Sequence, residues 1–302
     1  MNFAIIGLGF ISERHIRAIE HIGGKIVSIC DINKDKWKDH NIKNSMEFSY
    51  FEKLPVKFFI DWEEMMESSL FEEVDYTVIL TPNYLHYPMI KKARDRGSKV
   101  ICEKPLATSI DELKMLAEDP DIYTTLQLRY AYPILKKKKD PYERNEIRMQ
   151  IKVHRGDWYF KSWKVDLDKS GGLLFNIGIH YFDLLVREFG KFHIGEVSLY
   201  DDKRMKGMIQ NERAIVRWEL SIDAPENNQI REIKFAEGQR IDLTGYSYGG
   251  SDIKVDFNNL HNKVYEDIMK GEGVRPKDII ETTQLVEDMT NRSLEGIRRS
   301  QV

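Results

Sequence analysis

The apolar run Phe3–Ile6 feeds straight into Gly7-Leu8-Gly9-Phe10-Ile11-Ser12, and a helix-patterned stretch, Arg14–His21, follows at once. No other feature restricts the fold as strongly. A strand that stops at a glycine pair must turn sharply, and the next helix then begins with free backbone N–H groups at its positive end. The first glycine suits the turn, the second lets backbone approach a bound group, and the group that fits is a pyrophosphate. Ser12 stands where a third glycine is usual, and it is small enough for close helix packing. A second apolar run, Ile26–Cys30, ends in Asp31, 22 positions after Gly9. That is about the spacing of a carboxylate that takes ribose hydroxyls. Alone, Asp31 reads better as a turn residue after a strand; in this company it points to a dinucleotide. Its charge disfavours a 2′-phosphate, so NAD is expected over NADP, and Lys34 is the residue that keeps NADP open.

The same texture continues. Apolar runs at Phe58–Ile60, Tyr76–Leu80, Lys99–Cys102 and Tyr123–Leu126 alternate with helical stretches at Trp62–Ser68, Tyr87–Arg96 and Ile110–Ala117. Short, near-continuously apolar strands imply a parallel sheet covered on both faces, a doubly wound α/β domain over residues 1–125. Beyond it, alternating segments at Glu146–His154, Gly195–Tyr200, Ala214–Ile222 and Arg231–Ala236 lack a helix between each pair. They predict an α+β domain over 126–302 with an open, mainly antiparallel sheet. Gly172–Phe189 and Thr282–Gly296 read as its helices.

Bulk properties exclude several classes. A formal charge of −3 leaves no global basic field for nucleic acid, and Lys136 to Lys139 read as a solvated helix end. No apolar stretch approaches the roughly 20 residues that would cross a bilayer, and the first residues lack a signal-peptide pattern. Cys30 and Cys102 fall in separate strand-like runs, as buried free thiols do in a reducing compartment. The expected location is the cytoplasm, with no membrane partner.

Two further segments carry a family signal: Thr81-Pro82-Asn83-Tyr84-Leu85-His86 after the fourth run, and Cys102-Glu103-Lys104-Pro105-Leu106 after the fifth. With the glycine loop they resemble the Gfo/Idh/MocA family of NAD(P)-dependent sugar and polyol oxidoreductases. The resemblance implies a reactive lysine at Lys104, and a Lys104–Pro105 bond that is often cis in such proteins. It also implies a cofactor site of Gly7, Gly9, Phe10, Ile11, Asp31, Thr81, Pro82, Asn83, His86, Glu103, Lys104 and Gln127. His86 could equally be a satisfied loop histidine.

Residues 126–183 narrow the likeness. Leu126-Gln127-Leu128-Arg129, Arg155-Gly156-Asp157-Trp158-Tyr159, Lys161-Ser162-Trp163-Lys164 and Asn176-Ile177-Gly178-Ile179-His180-Tyr181-Phe182-Asp183 resemble the WlbA/WbpB-type subgroup. That subgroup oxidises C3″ of UDP-N-acetylglucosaminuronic acid with NAD, for bacterial O-antigen and related surface glycans. The wider family has Asp where Asn176 stands; asparagine can hydrogen-bond a sugar but cannot act as a base.

Oxidising a secondary alcohol requires a hydride acceptor and a group that takes the hydroxyl proton. A positive nicotinamide ring beside a partly desolvated lysine favours the neutral amine, which suits Lys104 as general base. A histidine also titrates near neutrality, so His180 is its partner or the base itself. Lys104 pairing with Glu103, and His180 pairing with Asp183, are the structural alternatives. No third ligand at a recognisable spacing makes a metal site with His180 and Asp183. For a diphosphate and a carboxylate, Arg129, Arg155, Lys161 and Lys164 are suitable cations, and Trp158, Tyr159 and Trp163 are flat surfaces for a sugar or uracil. Lys104, Asn176 and His180 complete the expected substrate set. Other readings are a dehydrogenase for inositol or a free hexose, and a non-catalytic NAD-binding regulator. Return of NADH to NAD is left open between a keto acid on the enzyme and a downstream enzyme. The open sheet face predicts a homodimer or homotetramer.

Overall fold

The computed structural model describes residues 1–33, 35–36, 56–131, 144–201, 203–243 and 259–300; Lys34 and Lys136 to Lys139 lie outside them. The chain forms two compact units: Met1–Ala107, Asp111–Gln127 and Asn258–Asp278 make the first, and Thr108–Ile110, Leu128–Phe257 and Ile279–Val302 the second.

The first unit holds β1 (Asn2–Ile6), α1 (Ser12–His21), β2 (Lys25–Cys30), β3 (Lys57–Phe59), α2 (Trp62–Glu67), β4 (Tyr76–Ile79), α3 (His86–Asp95) and β5 (Lys99–Cys102). Helix α4 (Ile110–Leu116) and β6 (Ile122–Thr124) complete its βα alternation. The strand order is β3-β2-β1-β4-β5-β6, and every pairing is parallel. This is the doubly wound order, with its switch point between β1 and β4, where such sheets open a crevice at the strands' carboxyl ends. Strand burial explains the near-continuous apolar runs: Phe3, Ala4 and Ile5, with Val100, Ile101 and Cys102, are fully buried. Asp61 starts α2 by accepting the N–H groups of Glu63 and Glu64. Both cysteines are free and buried, and burial pushes the Cys30 thiol up to about 12.

The chain returns to the first unit after leaving it. Helix α6 (Leu260–Met269) packs on α1, so a single boundary at 125/126 does not describe the division. The reason is physical: α1 carries a buried histidine, His15, whose ring reaches Tyr265 of α6.

The second unit contains β7 (Asn145–Lys152), α5 (Ile179–Phe189), β8 (His193–Asp201), β9 (Arg204–Gln210), β10 (Ala214–Ser221), β11 (Ile230–Phe235), β12 (Arg240–Asp242) and α7 (Ile280–Ser300). Its sheet runs β12-β11-β7-β10-β9-β8 and is antiparallel except for the β7–β10 pair. Parallel neighbours need a long crossover, and the helical segment that includes α5 lies in the connection from β7 to β10. One sheet face is apolar, with Ile147, Met149, Ile151, Val216, Trp218 and Leu220 buried. The other alternates charge, with Arg148 and Arg217 exposed and Lys152 paired to Glu219 at 2.9 Å.

Candidate active site

The glycine loop has the geometry its residues dictate. Gly7 has φ +99°, and a Cβ there would lie 2.8 Å from the Leu80 carbonyl oxygen. Gly9 differs: a Cβ on it would meet nothing within 4 Å. Open space over a glycine that leads into the α1 N-terminus is what a phosphate-bearing group requires. Phe10 is exposed and Ile11 is the N-cap of α1. Ser12 is buried and donates Oγ–H to Gly9 O at 2.7 Å, so the third-glycine position holds the loop by a side-chain bond.

Asp31 is buried and organises this end of the sheet. Its Oδ2 accepts the Leu8 N–H at 2.7 Å and pairs with Lys36 Nζ at 3.0 Å, and Oδ1 accepts the Asn33 N–H at 2.9 Å. Lys36 is thus the described cation at the carboxylate. After β4, Thr81 and Pro82 lead into a 3-10 turn, Asn83–Leu85, with Asn83 buried. His86 is buried as well; its nitrogens lie 2.6 Å from Pro105 O and 2.9 Å from Thr81 O, and burial holds the ring below the usual histidine range. It braces two loops rather than standing open to a pocket. The Lys104–Pro105 peptide is cis. Lys104 is half-buried, and the Glu103 carboxylate accepts its backbone N–H at 3.2 Å. Glu103 Oε1 also bonds His15 and Thr125 inside the unit, so this carboxylate faces the interior. Gln127 Oε1 is buried with no partner among the described residues. A buried carbonyl without a donor fits a cofactor amide. The open glycine, the carboxylate at the β2 end and this orphaned oxygen together fit NAD.

The second unit brings several predicted substrate residues together. Arg155 and Arg231 are half-buried; burial first, then the neighbouring Arg231 charge, lowers the Arg155 guanidinium from its usual range. Among the described residues neither is paired with a carboxylate. Tyr159 and Tyr181 neighbour them, and burial pushes both phenols up. Asn176 lies in a π-helical turn, Leu174–Gly178, that runs into α5, and its Nδ2 donates to Lys164 O at 3.0 Å. His180, half-buried, is on the first turn of α5. Trp158 is 59% exposed, whereas Tyr159 is 2% exposed and belongs to the core. Lys164 Nζ sits 4.1 Å over the Trp163 ring, and Lys161 is exposed.

Arg129 has a different job from the expected one. Its guanidinium grips Asp183 with two bonds of 2.7 and 2.6 Å, and Thr282 adds a third contact to that carboxylate at 3.3 Å. Asp183 is therefore occupied by Arg129, which ties the α5 helix three residues after His180. Arg231 was not visible in the sequence as a site residue, since a cation at the start of a strand carries no motif.

The chain matches the Gfo/Idh/MocA models for an oxidoreductase NAD-binding Rossmann fold over residues 1–119 and for the C-terminal alpha/beta domain over 145–275. The WlbA (WbpB) dehydrogenase of Thermus thermophilus, solved with NAD and alpha-ketoglutarate, is 30% identical over 96% of this chain and 94% of that one, with TM-score 0.80. The chain belongs to the Gfo/Idh/MocA oxidoreductase family. Its first domain is the NAD-binding Rossmann domain of that oxidoreductase family. The Thermus dehydrogenase solved with NAD and UDP-GlcNAcA superposes with TM-score 0.77. The glucose-6-phosphate 3-dehydrogenase of Bacillus subtilis is 27% identical over 61% of this chain and 52% of its own length. The chain spans from about half to about three quarters of the length of the curated relatives it matches, and about half of most of them.

Proposed function

We propose that the protein oxidises the C3″ hydroxyl of UDP-N-acetylglucosaminuronic acid to the 3-keto sugar, in the synthesis of a bacterial surface polysaccharide such as O-antigen. The observation that carries this is the half-buried Arg155 and Arg231 pair without a carboxylate among the described residues. Two neighbouring guanidiniums out of bulk water favour an anion, and a planar fork binds carboxylate or phosphate with two bonds. The 30%-identical Thermus dehydrogenase with UDP-GlcNAcA, and a relative named for oxidation at position 3, support the same substrate and position.

In this reading the alcohol loses its C–H electron pair as hydride and its O–H as a proton. Bound NAD+ supplies the hydride acceptor. Lys104 takes the proton as general base, with His180 as its partner. Asn176 hydrogen-bonds the sugar, Arg155 and Arg231 hold the acid or diphosphate, and Trp158 and Trp163 offer stacking faces. Lys161 and Lys164 add charge, and Arg129 supports the helix that carries His180.

Purified protein tests the proposal with NAD plus UDP-GlcNAcA, inositol, free hexoses and glucose 6-phosphate. NADH formation and a raised melting temperature with UDP-GlcNAcA are expected. The substrate assignment fails if UDP-GlcNAcA does neither while another sugar does both. Lys104→Ala should abolish turnover with NAD affinity within about threefold of wild type; retained function in cells would favour a non-catalytic NAD-binding regulator. Association into a dimer or tetramer through the open sheet face belongs to the same proposal, as does a cytoplasmic location.

A further inference from the structure

Glu103 turns its carboxylate into the first unit, where two side chains and one backbone N–H meet it. His15 of α1 sets Nε2 3.0 Å from Oε1. Thr125 donates Oγ–H to the same oxygen at 2.7 Å, and the other oxygen accepts the Lys104 N–H at 3.2 Å. Behind His15, the Tyr265 hydroxyl of α6 lies 2.8 Å from Nδ1. His15, Tyr265 and the adjacent His261 are fully buried.

The protons in this cluster have one consistent arrangement. Burial pushes the Tyr265 phenol well up, so it keeps its proton and donates it to His15 Nδ1. Burial also keeps His15 neutral, so its single proton is on Nε2 and goes to Glu103. Two other roles fit less well. His15, Glu103 and His261 offer ligand atoms within 4.8 Å of one another, a set that could hold a cation. Coordination through His15 Nε2 would move its proton to Nδ1 and leave the buried Tyr265 O–H without an acceptor. A proton exit route is also unsuitable, because the line ends at fully buried Tyr265. Position is what remains: the line of bonds fixes Glu103, and Glu103 fixes the peptide of Lys104.

We propose that His15 and Tyr265 are positioning residues for Lys104, acting through the Glu103 carboxylate. The proposal rests on Lys104 handling the substrate proton. A displacement of about 1 Å at a reacting group can cost on the order of 100-fold in rate, so a strut that sets the lysine backbone controls turnover without touching substrate.

The test uses the full chain with Tyr265→Phe, His15→Gln, His15→Leu and Lys104→Ala, assayed with NAD and UDP-GlcNAcA. Tyr265→Phe should lower kcat about tenfold with KM for NAD within about twofold and a cooperative melt. His15→Gln, which can still donate from Nε2, should stay within about threefold of wild type, while His15→Leu falls towards Lys104→Ala. Wild-type kcat in Tyr265→Phe beside an inactive Lys104→Ala would overturn the strut and leave Lys104 in place. An active Lys104→Ala would instead remove the base that the strut serves. If UDP-GlcNAcA is not turned over, acylation of Lys104 by an amine-reactive reagent, read by peptide mass spectrometry, replaces the assay. Tyr265→Phe should then change Lys104 labelling severalfold with Lys99 unaltered, and an unchanged Lys104 rate would overturn the proposal.

Discussion

Gly7 and Gly9 stand two residues apart and answer to different demands. At Gly7 an added methyl meets the Leu80 carbonyl and φ is +99°, so the fold itself requires glycine. Gly7→Ala should therefore lose about 1–3 kcal/mol of stability, read by denaturant unfolding, whether or not NAD is present. At Gly9 the methyl enters open space. Gly9→Ala should leave the melt of the cofactor-free protein within about 0.5 kcal/mol and weaken NAD binding at least about tenfold by titration. Arg129 gives a third case. Asp183 is buried and its carboxylate is held by that guanidinium. Arg129→Ala leaves an uncompensated buried charge and should cost about 3 kcal/mol in chemical denaturation. The glycine loop and Asp31 were legible in the sequence because a turn and a carboxylate act through local spacing. Arg129 was misread because its partner is 54 positions away, and a free and a spent guanidinium look alike in a string of letters.

At the scale of elements, buried histidines tie helices and loops together. His15 links α1 to α6, and His86 links the Thr81 turn to Pro105. Burial holds both rings below the ordinary histidine value of 6.5. Below that value the unfolded chain takes up protons that the fold refuses. Stability is then full above about pH 6.5 and falls as the pH drops towards the native values. Glu103, held well below 4.5 by His15 and His261 against the burial that would raise it, extends the loss to more acid solution. A scan from about pH 7.5 to 5.5 should show a falling melting temperature, with a shallower slope in His15→Gln. The parallel strands were readable as apolar runs because both sheet faces are covered. Strand β9 was not, since Gly207 interrupts its pattern; a Cβ there would lie 2.8 Å from the Trp218 ring, so packing selects a residue that strand propensity disfavours. Helix α6 does show Leu260, Val264, Tyr265 and Ile268 at helical spacing. Periodicity says that such a helix is amphipathic and nothing about which unit receives its apolar face.

For the molecule as a whole, the first unit is incomplete without Asn258–Asp278. A fragment ending at Gln127 lacks α6 and the Tyr265 hydroxyl, and it should melt broadly or fail to give a cooperative transition by circular dichroism. The charged outer sheet face, with Arg148, Arg217 and the Lys152–Glu219 pair, gives the proposed association an electrostatic character. Light scattering should find a dimer or tetramer at low salt, with dissociation favoured as salt rises. Substrate class was readable only through resemblance, because a sugar acid is recognised by separated side chains and not by one motif.

The return of α6 also sets an order of events during synthesis. His15 and Tyr265 are 250 residues apart, so the ribosome must add that many residues before α1 meets its partner. Translation at roughly 5–20 residues per second makes that an interval of many seconds. Throughout it the nascent nucleotide-binding unit displays an unsealed helix face, while the intervening sheet emerges and can fold first. A chaperone that shelters that face would act on this interval, and its work would end when the tyrosine arrives.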